Sequence, residues 1–254
     1  MIVMFTQHKT RTMKLDGNIL EVAESYRLNG SSRYDLLLDK NDTIGDEHIG
    51  TSIETPMRPD AFMMDVASKM KVIEHHFEEI LNTLGMDLSD DSLKGTPHRV
   101  AKMFVKEIFH GLNPANKPKI SLFENKFRYG QMLVEKSISL TSTCEHHFLP
   151  IIGKAHVAYI SGGKVIGLSK INRIVDYFAR RPQVQERLTV QIADELKKAL
   201  ETEDVAVMID ARHMCVACRG IQDQSSTTIT AEYSGQFKND KTKEEFLTYV
   251  GMES

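Results

Sequence analysis

Disulfides, membrane-spanning segments and excess charge are scarce or missing in this chain of 254 residues. It has three cysteines, an odd number, which argues against a disulfide framework. No apolar stretch approaches the roughly 20 residues that cross a membrane, which argues against an integral membrane protein. The 32 basic and 35 acidic residues nearly balance, so no overall positive field can hold a nucleic-acid backbone. We therefore expect a cytoplasmic protein that binds neither a membrane nor nucleic acid.

Residues 1–60 differ in texture from the rest of the chain. They mix charged and small polar residues with a few short apolar clusters and show no sustained period, which predicts a weakly structured N-terminal extension. Regular periods begin after it. We expect one catalytic domain over 61–254, with a helical part at 61–115 and a sheet-containing part at 116–254.

The periodic segments predict both helices and strands. Apolar residues at three- and four-residue steps predict a helix over 62–84, and Thr96 as a cap before Pro97 predicts a second one over 96–111. Strands are predicted at 132–142, 154–160, 165–168, 205–211 and 227–233, and further helices at 170–180, 184–200 and 241–250. This order is typical of an α+β fold with an antiparallel sheet and a helix pair.

Two short clusters contain the residue types that bind zinc. Residues 144–147 read Cys-Glu-His-His, and residues 213–215 read His-Met-Cys. Thiolates and imidazoles are good zinc ligands, and two clusters are a stronger signal than one. The sequence therefore predicts a zinc site formed by segments that lie far apart in the chain.

Two ligand sets are compatible with these clusters. A closed Cys3His site, which would be structural, uses Cys144, His147, Cys215 and Cys218. However, residues 215 and 218 would point to opposite faces of an extended strand. We therefore favour Cys144, His147 and Cys215 with water as the fourth ligand, which leaves His146 and His213 available for proton transfer.

A helix start predicts an anion site. Ser169 is placed as its cap, and Lys170 and Arg173 share one face of its first turn. Backbone N–H groups and two cations at a helix start suit a phosphate. Weaker candidates for contacts with a nucleotide are Gln185, Glu186, Arg219 and Arg99.

Four motifs together resemble GTP cyclohydrolase I in their order, spacing and residue identity. They are residues 144–147, 167–173, 181–188, and 213–215 followed by Arg219 and Gly220. The resemblance runs from about residue 65 to the C-terminus and leaves the N-terminal extension outside. It implies a tunnelling fold whose subunits assemble as a toroidal homodecamer, a dimer of pentamers, with active sites between subunits.

The same resemblance implies a reaction and a role for each candidate residue. Zinc-activated water would attack GTP at C8, open the imidazole ring, release formate and give 7,8-dihydroneopterin triphosphate, the first step of tetrahydrofolate and pterin biosynthesis. One zinc ion per subunit would be held by Cys144, His147 and Cys215. Acid–base roles fall to His146 and His213, triphosphate contacts to Lys170, Arg173, Arg219 and Arg99, guanine recognition to Glu186, and supporting contacts to Ser169 and Gln185.

Cys218 is not a ligand in the family pattern. Two other interpretations stay open: a structural module that keeps its zinc but has lost turnover, and a related tunnelling-fold enzyme that acts on another pterin or a deazapurine.

Overall fold

The computed structural model describes residues 51–252 and two short strands, β1 (Lys14–Leu15) and β2 (Asn18–Ile19), which pair antiparallel. The chain divides into two compact units, Met1–His48 and Ile49–Ser254. Most of the predicted weakly structured extension over 1–60 therefore lies outside the described residues. Within the described residues, no helix combines the length and apolar character needed to cross a membrane.

The second unit opens with two helices. Helix α1 (Val66–Thr83) is capped by Asp65, which accepts a hydrogen bond from the backbone N–H of Ser68. Helix α2 (Thr96–Met103) continues as a π-helical turn and a 3-10 turn up to Leu112. The prediction of Thr96 as the cap was wrong, because the helix already includes this residue and its hydroxyl binds the Arg99 guanidinium instead.

The largest sheet has five strands in the order β7-β4-β5-β8-β9. Neighbouring strands in this sheet are antiparallel, except β4 and β7, which are parallel. Strands β3 and β6 form a separate antiparallel pair. The strand bounds are β3 Leu122–Glu124, β4 Met132–Cys144, β5 Pro150–Ile160, β6 Lys164–Ile166, β7 Pro182–Gln183, β8 Val205–His213 and β9 Thr228–Tyr233.

Helices cover both faces of this sheet. They are α3 (Leu168–Ala179), α4 (Gln185–Leu200), the short α5 (Met214–Ala217) and α6 (Asp240–Gly251). Helices α3 and α4 pack on one face, where Ile171 and Ile192 are fully buried against strand residues such as Val157. On the other face Phe246 of α6 packs with Ala158. The predicted α+β fold, with an antiparallel sheet and a helix pair on one face, is confirmed.

The start of α3 differs from the sequence prediction. Ile166 is still paired with Leu122 of β3, so the chain leaves the strand at Gly167 and the helix begins at Leu168. Ser169 therefore lies inside the first turn, and its assignment as the cap was wrong. Gly167 occupies the capping position without a side-chain hydrogen bond.

Candidate metal centre and active site

The sheet register brings the two Cys/His clusters to one end of the fold. Cys144, at the end of β4, pairs with Gln183 of β7, and His213, at the end of β8, pairs with Ile151 at the start of β5. Helix α5 begins directly after His213, so Cys215 lies at the same end. Strands β4 and β8 both run antiparallel to β5, which lies between them, so both end where β5 begins. Segments about 70 residues apart in the chain thus meet at this end of the sheet.

Cys144, His147 and Cys215 form a triad that could hold a metal ion. Their ligand atoms all lie within 4.8 Å of one another, and Cys144 Sγ is 3.9 Å from His147 Nδ1. Ligands on one tetrahedral zinc ion, with Zn–S of about 2.3 Å and Zn–N of about 2.0 Å, lie roughly 3.5 Å apart. The triad therefore fits such an ion after small shifts. Cys144 is buried and His147 is exposed, which leaves one side open to a ligand from solvent.

The thiol chemistry of the triad also suits a cation. Burial, and then the hydrogen bond with Cys144, raise the pKa of the Cys215 thiol to about 11. A thiol with this pKa is a poor nucleophile at neutral pH, but a divalent cation readily displaces its proton. Without a bound cation, the Cys215 thiol is therefore poorly suited to covalent catalysis.

Cys218 lies outside the triad. It ends α5, is exposed, and its Sγ donates a hydrogen bond to the Met214 carbonyl at 2.7 Å. The argument that placed residues 215 and 218 on opposite faces of a strand was wrong, because this segment is helical. The three favoured ligands nevertheless remain the group that the described residues bring together.

Gln185 fixes the orientation of the His213 ring. Its side-chain amide nitrogen contacts the carbonyls of Ile209 and Thr228 and the hydroxyl of Thr230, so its oxygen must face His213 Nε2, 2.8 Å away. An amide oxygen only accepts, hence His213 donates from Nε2 and keeps Nδ1 as the acceptor in the neutral ring. Burial lowers the pKa of His213, which favours that neutral form.

His146 lies beside the triad at the edge of a cavity. Its Nδ1 is 3.8 Å from Cys144 Sγ, and its side chain is 40% exposed. The cavity has a volume of about 480 Å³, and its lining includes Thr55, Pro56 and Glu145. A volume of this size is in the range of small-molecule sites.

Glu186 and Arg219 are the predicted substrate-binding residues that act electrostatically on this end of the fold. Glu186, in the first turn of α4, raises the pKa of His213 against the stronger effect of burial. Arg219, just after α5, opposes the rise in the pKa of Cys215. Both side chains are exposed and therefore accessible to a ligand.

The other predicted cations lie on α3 and α2. Lys170 lies on the first turn of α3 and Arg173 on the second, and Arg99 donates to the Ser92 carbonyl and to Thr96. No hydrogen bond or ion pair joins these three cations to the triad in residues 51–252. Ser169, on the first turn of α3, is exposed.

Sequence reasoning missed the contact between Glu145 and Arg187. The two Arg187 Nη atoms bind the two Glu145 oxygens at 2.6 and 3.0 Å. Both residues belong to motifs that carry the family resemblance, yet neither was given a role. Their opposite charges, one of them directly next to a ligand, were the available signal.

A family model described as GTP cyclohydrolase I matches residues 73–251. The chain belongs to the GTP cyclohydrolase I family. The resemblance inferred from the four motifs is thereby confirmed, together with the tunnelling fold of that family. The matched region contains every predicted site residue, from Arg99 to Arg219.

Curated relatives agree with this membership. A protein named GTP cyclohydrolase 1 from Flavobacterium johnsoniae is 62% identical over 213 residues, which are 84% of this chain and 96% of the relative. One of the same name from Vibrio parahaemolyticus is 57% identical over 196 residues, 77% of this chain and 89% of the relative. These two relatives thus align with this chain over most of their own length.

A solved structure, archaeosine synthase QueF-Like in the apo form, is 19% identical with a TM-score of 0.35 and covers 41% of this chain and 93% of its own. This likeness is too remote to bear on fold or function.

Proposed function

We propose that the protein is a GTP cyclohydrolase I, which hydrolyses the imidazole ring of GTP at C8, releases formate and forms 7,8-dihydroneopterin triphosphate. This is the first step of tetrahydrofolate and pterin synthesis. The observation that carries the proposal is a Cys-His-Cys group that could hold a metal, with His146 and His213 next to it in the sequence, in a chain that shares its family with proteins named for this activity.

The metal in this proposal is one zinc ion per subunit, held by Cys144, His147 and Cys215. The close approach of their ligand atoms and the donor set of two thiols and one imidazole support zinc. Bound there, zinc would supply the Lewis acidity that activates water as a nucleophile near pH 7.

The two histidines are proposed to move protons during ring opening. Because Gln185 holds His213 with Nδ1 as the acceptor, and because burial lowers the pKa of His213, this residue is neutral at pH 7 and starts as a base. His146, closer to solvent, is proposed to donate to the purine and to recover its proton from water.

Substrate binding is assigned to charges around this centre. Glu186 is proposed to accept from the donor edge of guanine. The triphosphate is assigned to the cations Lys170, Arg173, Arg219 and Arg99, with supporting contacts from Ser169. These contacts lie away from the reacting carbon, so they supply binding energy that positions it.

The active enzyme is proposed to be a cytoplasmic toroidal homodecamer with sites between subunits. Two observations support shared sites. In residues 51–252 no hydrogen bond joins Arg99, Lys170 or Arg173 to the triad, which is compatible with a role for these cations at a neighbouring subunit's triad. Large apolar residues such as Met63 and Ile229 are exposed, 87% and 61% respectively, which suits surfaces covered by other copies.

The test compares Cys215→Ser with Cys218→Ser. Purified proteins are incubated with zinc and GTP, and the oxidised pterin product is measured by its fluorescence. Cys218→Ser should keep bound zinc and turnover, whereas Cys215→Ser should lose both. Turnover that survives in Cys215→Ser but is lost in Cys218→Ser would overturn the ligand assignment, and no product from the unmodified protein would overturn the function.

A further inference from the structure

The loop that carries two of the three ligands is held by a buried ion pair. Glu145 follows Cys144 directly and precedes His147 by two residues, so its position is coupled to both. Its carboxylate binds both Nη atoms of Arg187, and the Arg187 side chain is only 3% exposed. A two-bonded arginine–carboxylate pair fixes distance and orientation together.

Arg187 also binds a segment that precedes α1. Its Nε donates to the Ser52 carbonyl at 2.8 Å. One turn further along α4, Gln191 donates to the Glu54 carboxylate at 2.9 Å. The segment 52–54 is therefore bound at two points on the same face of α4, and it lies outside the region that matches the family model.

Gln183 joins the two halves of this arrangement. Its amide nitrogen donates to Gln191 at 2.9 Å, and its backbone carbonyl accepts from the N–H of Glu145 at 3.0 Å. The Glu145 backbone and carboxylate are thus both bound, from β7 and from α4. Burying a guanidinium is costly unless its donors are paired, so this network resists rearrangement.

We propose that Glu145, Arg187 and the segment 52–54 form a clamp that sets the position of Cys144 and His147. The three parts are positioning groups and not ligands. Metal affinity depends on residues that orient the ligands, and losing such residues typically weakens it by about 10- to 100-fold. The activity consequence rests on the proposed function, but the metal-binding consequence does not.

The decisive experiment measures metal binding in the full-length protein without GTP. Zinc affinity is determined by competition with a chromophoric chelator, and the absorption spectrum of the cobalt-loaded protein reports the ligand geometry. Arg187→Lys removes the two-bonded contact but keeps the charge, and Glu145→Gln keeps the shape but removes the charge. Both should weaken zinc binding by about tenfold or more and alter the cobalt spectrum.

Control variants separate positioning from general stability. Glu195 lies on α4, like Arg187, but away from the loop, and it forms an ion pair with Lys117. Glu195→Gln breaks that pair and should leave zinc affinity and the cobalt spectrum unchanged. Glu54→Ala should weaken zinc binding a few-fold, whereas Ile53→Ser, at an 84% exposed neighbour, should not. The isosteric Glu145→Gln keeps the test usable if Arg187→Lys does not fold.

The clamp would be overturned if both Glu145→Gln and Arg187→Lys left the zinc affinity and the cobalt spectrum unchanged. The segment 52–54 would not belong to the clamp if Glu54→Ala and Ile53→Ser bound zinc equally well. Because these measurements need no substrate, they distinguish failure of the clamp from failure of the proposed function, which the pterin assay reports separately.

Discussion

Gln185 determines the hydrogen-bonding state of His213 through its own four contacts. It is 1% exposed, and its amide is fully used by the sheet and by the histidine. A residue first assigned to substrate binding therefore also holds a catalytic candidate in one orientation. The proposed mechanism requires His213 to transfer protons and not to bind the metal.

Replacing His213 with alanine tests that distinction. None of the triad's ligand atoms belongs to His213, so His213→Ala should keep one zinc ion per subunit by metal analysis. Formate release should fall by about 10²- to 10⁴-fold, as expected for loss of a general acid–base group. His98→Ala, at an exposed histidine on α2, serves as the control and should retain turnover. Full activity in His213→Ala would remove this residue from the mechanism.

The candidate metal ligands were predictable from sequence because the chemistry of cysteine and histidine depends on the residue type itself. The bond between Gln185 and His213 was not, because these residues are 28 positions apart and meet only through the sheet. For Cys218 the sequence argument itself was wrong. It assumed an extended strand, whereas residues 214–217 are helical.

At the scale of elements, long periodic segments were predictable and short ones were not. Helix α4 buries Leu188, Ile192 and Leu196 completely, and this spacing is visible in the sequence. Strand β7 has two residues and α5 has four, too few to show a period. Yet these two elements place Gln183 and Cys215 at the metal centre.

A glycine at the junction of two elements gives a stability prediction. In the 3-10 turn after α2, a Cβ on Gly111 would lie 2.0 Å from the Tyr177 carbonyl oxygen, at the end of α3. Gly111→Ala should therefore lower the free energy of unfolding by about 1–3 kcal/mol. Chemical denaturation at matched protein concentration measures it.

Gly130→Ala is the matched control, because the nearest atom to its Cβ would be 4.0 Å away. It should change stability by less than about 0.5 kcal/mol. Equal midpoints for the two alanine variants would show that the turn can move away from α3 at little cost.

At the scale of the whole molecule, the distribution of charges predicts sites completed by a second subunit. The sequence indicates which cations are candidates, but it cannot say whether they act within one chain, because that depends on how copies pack. Arg99 lies on α2 and is bound to its own loop through Ser92. We expect it to act on a neighbouring subunit's triad.

Mixed oligomers test this expectation. Arg99→Ala and Cys215→Ser should each be inactive alone, but co-expressed and purified together through two tags they should recover activity, because some sites combine an intact triad with an intact Arg99. His213→Ala mixed with Cys215→Ser should recover none, since both residues belong to the same half-site. Absence of recovery in the first mixture would place Arg99 and the triad in one subunit's site.

The proposed removal of C8 of GTP as formate at this centre can be followed with one labelled atom. Zinc-loaded protein is incubated with GTP carrying carbon-13 at C8, and the products are observed by NMR. We expect the label to appear in free formate, in step with pterin formation. Label that remains in an intact purine, or in a ring-opened product that never releases formate, would contradict it.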